Sequence, residues 1–259
     1  MRCRLCNSED LDLFYKQGSD DQFHFYRCRG CRLVNLDLDT TTITSNQEKY
    51  AVSDDPPTNE ETLSLQSFRF VKKYVKGSGK YLDIGCGYGA LLKLFKEDGW
   101  EVEGLELSPK LAEYVTKHFN ISVRVANFLN DEQSGDYDLV SLRHVLEHLP
   151  DSVGAMKKLE KLVKPGGHVH LEFPNIDGIP QRIKRLRNRT SLFKKKYDPQ
   201  YVPGHCNEFS AASFEFLLSN TKFSLIRWET YSKKTLSNFL YNHFPVGSKV
   251  RVILKRAGT

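Results

Sequence analysis

Between residues 80 and 173, short apolar runs of strand length alternate with stretches in which apolar positions recur every three or four residues. Strands are expected at 80–84, 101–106, 123–126, 137–142 and 168–173, and helices at 90–98, from Ser108-Pro109 onward and at 153–163. Local punctuation agrees: Gly99 follows the first helix, Pro109 sits where a first helical residue belongs, and Pro165-Gly166-Gly167 turns the chain before the fifth strand. Such alternation predicts an α/β fold, doubly wound, with a mostly parallel sheet and helices on both faces. Segments 223–229 and 249–255 are expected to close one edge as a hairpin. Upstream, Thr58 to Glu61 reads as a capping box, and Leu65, Phe68, Val71 and Val75 recur at helical spacing, predicting an entry helix.

The chain before that helix has a different texture. Residues 36–58 are polar, Thr-rich and end in Pro56-Pro57, a linker composition that places the main domain at 59–259. Residues 1–35 carry two CxxC pairs, Cys3/Cys6 and Cys28/Cys31, separated by 21 residues. Each CxxC turn can present two thiolates to one tetrahedral zinc ion, so a small N-terminal zinc ribbon is expected, with Phe23 to Arg27 as one strand. So short a segment cannot bury enough apolar surface to fold alone, and four thiolates leave no coordination position open, so the zinc is expected to be structural. His24 reads as a strand residue, and the remaining cysteines, Cys86 and Cys206, as buried.

Charge changes the picture in one place. The net charge is +6, yet residues 182–196 hold eight Lys or Arg and no acid, leaving −2 for the rest of the chain. That run suits either a local anionic partner or a solvated helix face. No apolar run approaches the roughly 20 residues of a membrane span, and the first residues do not resemble a signal peptide, so a cytoplasmic protein is expected.

The most specific chemistry lies in Tyr81-Leu-Asp83-Ile-Gly85-Cys86-Gly87-Tyr-Gly89, at a strand-to-helix junction. Its glycines let the backbone turn tightly against a ligand, but the spacing is D-x-GxGxG rather than the GxGxxG of a pyrophosphate cradle. An acid there is poorly placed beside phosphates and well placed beside a cation. Glu106, 19 residues after Gly87 at the next strand's end, can grip ribose hydroxyls. With Tyr137-Asp-Leu-Val at the fourth strand and Lys164-Pro-Gly-Gly before the fifth, these motifs resemble the class I S-adenosylmethionine-dependent methyltransferase family. The resemblance implies a seven-stranded Rossmann-like sheet and a cofactor set of Asp83, Gly85, Cys86, Gly87, Gly89, Glu106, Leu107, Asn127, Phe128 and Arg143, with Asn127-Phe128 along the adenine.

Methyl transfer needs an acceptor atom held in line with the methyl group, and a hydroxyl acceptor gains from losing its proton. Candidate bases follow the fourth and fifth strands: His144, Glu147, His148 and, past the basic run, His205. An unperturbed imidazole titrates near neutrality, which makes His205 the leading base. The ubiquinone-biosynthesis O-methyltransferases and the small-RNA 3′-end 2′-O-methyltransferases share an ExxEH motif plus a downstream histidine that hold a metal. His144-x-x-Glu147-His148 with His205 resembles it, with His in place of the first Glu, and implies a second divalent ion at Glu147, His148 and His205.

CxxC ribbons ahead of such domains are similar to those of bacterial sugar and surface-glycan methyltransferases. That likeness implies O-methylation of an anionic glycan, sugar or other small molecule, with residues 174–209 forming an acceptor lid. RNA is the competing acceptor, because a ribosomal-RNA methyltransferase family also pairs a zinc module with this fold and the basic run could track phosphates. A non-catalytic cofactor-binding scaffold is a third reading, and Lys and aromatic residues at 233–256 are compatible with peripheral membrane contact.

Overall fold

The computed structural model describes residues 1–18, 20–48, 55–132, 134–188, 197, 201–231 and 246–258. Much of the basic run (189–196) and most of the Lys- and aromatic-rich stretch before residue 246 therefore lie outside the described residues.

The alternating segment forms the expected sheet. Strands β4 (Lys80–Ile84), β5 (Glu101–Glu106), β6 (Val123–Val125), β7 (Tyr137–Arg143) and β8 (Val163–Pro174) run parallel, and β10 (Phe223–Tyr231) and β11 (Lys249–Arg256) complete it as an antiparallel hairpin. The spatial order is β10-β11-β8-β7-β4-β5-β6. Strand order reverses between β4 and β7, and ligands of such sheets bind beyond the carboxyl ends at that crevice. Helices α3 (Ala90–Glu97), α4 (Pro109–Phe119) and α5 (Ser152–Leu162) connect the strands. Their caps follow local sequence: Ser108 accepts from the Leu111 amide, and the Asp151 side chain from that of Gly154.

Two details of the entry helix differ from expectation. Helix α2 (Glu60–Tyr74) begins after Asn59, which makes no side-chain cap bond, so the Thr58/Glu61 capping box does not form. The helix starts one residue later than such a box requires, with the Pro57 carbonyl accepting the Glu60 amide, and the Glu60 carboxylate pairs with Arg143 at 3.2 Å. The buried stripe is also rotated to Ser64, Ser67, Phe70 and Val71. Ser67 is turned inward by a 2.6 Å hydrogen bond to the buried carboxylate of Glu172. That carboxylate also takes the Tyr231 hydroxyl at 2.7 Å and faces Arg251 at 3.2 Å; against the upward push of burial, His170 at 3.3 Å, with the charges of Arg251 and Arg143, holds it well below the ordinary carboxyl range.

The N-terminal segment is joined to the main domain more closely than a ribbon-plus-linker division implies. Strands β1 (Leu11–Gln17), β2 (Phe23–Cys28) and β3 (Val34–Leu36) form an antiparallel sheet whose fourth strand, β9 (Asn207–Glu208), comes from the far end of the chain. Within the expected linker, Thr40–Glu48 is helix α1, opened by Asp39, whose carboxylate takes the Thr42 amide at 2.8 Å and its hydroxyl at 2.6 Å. Thr-rich composition carries weak helix propensity, so the cap and the burial of Ile43, rather than a periodic pattern, mark this helix. Arg4 ties the segment down by donating to the carbonyls of Leu36 (2.8 Å), Leu38 (2.6 Å) and Cys206 (3.3 Å). Cys3, Cys28, Cys31 and Leu33 share one apolar cluster with Leu149, Phe173 and Phe209 of the main domain. Among the described residues no helix is long and apolar enough to cross a membrane.

Candidate active site

At the carboxyl end of β4, Asp83 is only 1% exposed, and neither carboxylate oxygen has a hydrogen-bond partner. Burial drives its pKa up to about 7, against the pull of Arg143, while Glu60 and Glu106 push further upward. A buried, unsatisfied carboxyl is costly unless a partner arrives, and a cationic ligand group is the partner that would return it to the ionised form. Behind it the loop turns through left-handed glycines. Gly85 (φ 69°) passes so close to Val145 that a Cβ would lie 2.5 Å from its methyl carbon, whereas a Cβ on Gly87 (φ 55°) would meet nothing within 4 Å. The first glycine is thus needed for packing and the second leaves open space where a ligand can approach the backbone. At the end of β5, Glu106 accepts the Gly87 amide on Oε2 and the Ser108 amide on Oε1, both at 3.0 Å, bracing the loop.

The other cofactor candidates fall around this crevice in differing roles. Cys86 is buried beneath the loop against Gly104, and Gly89 caps α3. Leu107 is exposed beside Glu106, and the Asn127 side chain accepts the Leu129 amide at 3.0 Å. Phe128 is buried in the core, with the Lys158 ammonium 5.5 Å from its ring centre and donating to its carbonyl at 2.7 Å. Arg143, at the end of β7, spans to α2 through Glu60 and the Ser64 hydroxyl, each at 3.2 Å.

Beyond β7 the chain enters a short 3-10 turn, Leu146–His148, which collects the catalytic candidates. His144, in the left-handed region (φ 56°), accepts from the Lys249 ammonium at 2.7 Å through Nε2, so its proton sits on Nδ1 and is donated to Glu147 at 3.0 Å. Burial pushes the Glu147 carboxyl up, but the His144 hydrogen bond and the neighbouring imidazoles outweigh it, leaving it below its ordinary value. Its second oxygen, Oε2, is buried without a partner. His148 donates from Nδ1 to the Gly204 carbonyl at 2.8 Å, and its ring stands edge-on to His205 at 4.8 Å. The His205 ring nitrogen lies 4.0 Å from Glu147. Burial drives His205 down to about 4, which corrects the expectation of a base titrating near neutrality: the imidazole is neutral at physiological pH, a good lone-pair donor but a weak proton acceptor. Potential ligand atoms of Glu147, His148 and His205 all lie within 4.8 Å of one another, and His144 stands outside that trio, facing Lys249.

A cavity of about 640 Å³ opens from His148 and His205. Its walls come from three distant segments: Tyr15 and Gln17 of β1, Arg185 of α6 (Ile179–Asn188), and Tyr201 with Glu208 of the returning chain. The volume is that of a small-molecule site. The sequence pointed to the loop carrying His205 and the basic helix, but not to β1, whose alternation reads as an ordinary strand.

At the opposite side of the N-terminal sheet, Cys3–Cys31 and Cys6–Cys28 sulfurs approach to 3.4 Å, and all four lie within 4.8 Å of one another. Ligands about 2.3 Å from a tetrahedral ion sit roughly 3.8 Å apart, so the donors fit one zinc. The hydrogen bond between Cys3 and Cys31 lowers the pKa of the one thiol and raises that of the other.

A glycine loop beside an unpaired buried acid, at the strand-order reversal of a β10-β11-β8-β7-β4-β5-β6 sheet, defines a class I S-adenosylmethionine-dependent methyltransferase domain. The chain belongs to the methyltransferase domain family, whose profile matches residues 60–227. It is 33% identical over 108 residues to the ubiquinone biosynthesis O-methyltransferase of Nitrosospira multiformis, covering 39% of this chain and 45% of that one. The corresponding protein of Proteus mirabilis is 26% identical over 180 residues, 67% of this chain and 68% of its own. The chain thus spans less than half the length of the first curated relatives it matches. In fold it is similar to the N-methyltransferase NodS of Bradyrhizobium japonicum, solved with S-adenosyl-L-homocysteine (TM-score 0.56, 15% identity, 83% of this chain and 98% of that one).

Proposed function

We propose that the protein transfers a methyl group from S-adenosylmethionine to a hydroxyl of a polar small molecule, a sugar or glycan-derived acceptor being favoured, in the cavity that opens from His148 and His205. That juxtaposition supports the reading: the cavity opens beside the His148 and His205 imidazoles and the partly satisfied Glu147, on the carboxyl side of the sheet where Asp83 and Glu106 lie. The named function of the curated relatives, O-methylation, agrees with it.

Asp83 would take the ammonium group of the cofactor and Glu106 its ribose, while the cofactor itself supplies the electrophilic methyl. His205 and His148 would orient the acceptor oxygen through their ring lone pairs, and the Glu147 carboxylate would accept its proton. The orphaned Glu147 Oε2 specifically favours a second reading of the same cluster, in which Glu147, His148 and His205 hold a divalent cation that polarises the acceptor hydroxyl. Structural zinc at Cys3, Cys6, Cys28 and Cys31 would fix the N-terminal sheet, and reduced thiols fit a cytoplasmic setting.

Turnover of methyl-labelled cofactor with fractionated acceptors, with and without chelator, tests this. Label in polar small molecules or glycans is the expected outcome; label in RNA alone would overturn the acceptor assignment, and chelator sensitivity would select the metal-assisted form.

A further inference from the structure

Two polar residues of the cavity are used by neither the cofactor crevice nor the histidine cluster. Arg185 is half buried; its Nη1 donates to the Ile176 carbonyl at 2.7 Å, and its guanidinium lies 4.7 Å from the centre of the Phe14 ring. Phe14 carries Arg27 at 3.9 Å, but Arg27 is neutralised by Asp177 at 2.7 Å. Arg185 lies within ion-pair distance of no carboxylate among the described residues; burial pulls its pKa down, against the longer-range attraction of the Glu208 and Asp177 carboxylates. A guanidinium partly removed from water, fixed by an aromatic face and one carbonyl, and without a carboxylate in direct contact is arranged to receive an anion through its remaining donors.

Glu208 stands in the same cavity on β9. The Tyr15 hydroxyl hydrogen-bonds its carboxyl, while Oε2 is buried with no partner. That orphaned oxygen calls for a donor from a ligand, and a hydroxyl fits without an added charge. Both residues depend on the N-terminal sheet, which supplies Phe14 under Arg185 and Tyr15 beside Glu208.

We propose that the acceptor carries a carboxylate or phosphate bound by Arg185 and a hydroxyl accepted by Glu208, so that these two residues, held by Phe14 and Tyr15, set acceptor specificity. The proposal rests on the methyltransferase reading above and narrows its acceptor to one chemistry.

Calorimetric titration of the full chain, metal-replete and saturated with S-adenosylhomocysteine, separates the two. The probes are inorganic phosphate, pyrophosphate and D-glucuronate, with D-glucose as the uncharged control. The expected result is binding of at least one anionic probe, weakened tenfold or more in Arg185→Gln, with S-adenosylhomocysteine affinity unchanged within twofold. Whether phosphate or glucuronate responds identifies the anion. Glu208→Ala is expected to weaken glucuronate several-fold more than phosphate. If no anion binds, or Arg185→Gln binds the anions as well as the parent, the anion assignment is overturned; equal loss for phosphate and glucuronate in Glu208→Ala, or loss for neither, removes the hydroxyl contact. Failure of S-adenosylhomocysteine itself to bind would instead sink the methyltransferase reading.

Discussion

The proposed cofactor crevice and the proposed acceptor cavity are built in different ways. The crevice draws on strand ends β4, β5 and β7 and one glycine loop, within residues 83–143, and backbone amides hold its key acid, Glu106. The cavity is assembled from β1, α6 and the chain around Glu208, segments separated by up to about 190 residues, and it depends on an N-terminal sheet whose last strand is borrowed. A local site can be preserved whenever the sheet forms, whereas an assembled site exists only while its remote wall is in place. Damage to the cysteine cluster should therefore separate the two.

The largest effect is expected from Cys28→Ser. Structural zinc in small modules contributes on the order of 10 kcal/mol, so the variant should lose metal and abolish acceptor turnover while the sheet domain still binds S-adenosylmethionine. Metal analysis with cofactor titration checks this; intact turnover without metal would remove the assembled-wall idea. Next, His205→Ala should lower kcat about 10²-fold through lost orientation of the acceptor, with cofactor affinity unchanged, read by steady-state kinetics and direct binding. An unchanged kcat would leave His205 as a mere lining residue.

Asp83→Ala strikes the other region. Losing a charge-assisted contact of about 1.5–3 kcal/mol should weaken cofactor binding roughly 10- to 150-fold, leaving phosphate or glucuronate binding at Arg185 near its parental value. The smallest effect is a pH dependence. Because the Asp83 pKa is raised to about 7, the unliganded protein binds that proton more tightly than the unfolded chain does. Its contribution therefore costs stability as pH rises from about 4 towards 7. Cofactor binding, which needs the carboxylate, should strengthen about tenfold per unit up to pH 7 and then level off. A flat cofactor affinity between pH 5.5 and 7 would show that Asp83 is ionised throughout.

The parts legible along the chain are those with short-range causes. The strands of the parallel sheet follow from apolar runs, α4 from Ser108-Pro109, and the glycine loop from its spacing, and all fall within a residue or two of their expected bounds except β8, which begins at Val163, five residues early, and takes the expected Pro165-Gly166-Gly167 turn into the strand. The exceptions on the entry helix have tertiary partners: Glu60 pairs with Arg143, and Ser64 and Ser67 face inward towards Arg143 and Glu172. The cysteine pairs announce their clustering, but not that β9 completes their sheet. The protonation of His205 was misjudged for the same reason, since desolvation is absent from a one-dimensional pattern.

By itself, then, the sequence determined the α/β class, the cofactor loop with Asp83 and Glu106, the cysteine quartet and the His/Glu cluster, because periodicity, turn chemistry and ligand spacing act over a few residues or repeat a fixed motif. Tertiary structure alone decided that Lys249 and His144 orient Glu147, that Phe14 and Tyr15 stand beside Arg185 and Glu208, and that Asp83 and His205 are strongly shifted. Those outcomes depend on which distant surfaces exclude water from a given atom, and burial is a property of the packed chain rather than of any segment of it.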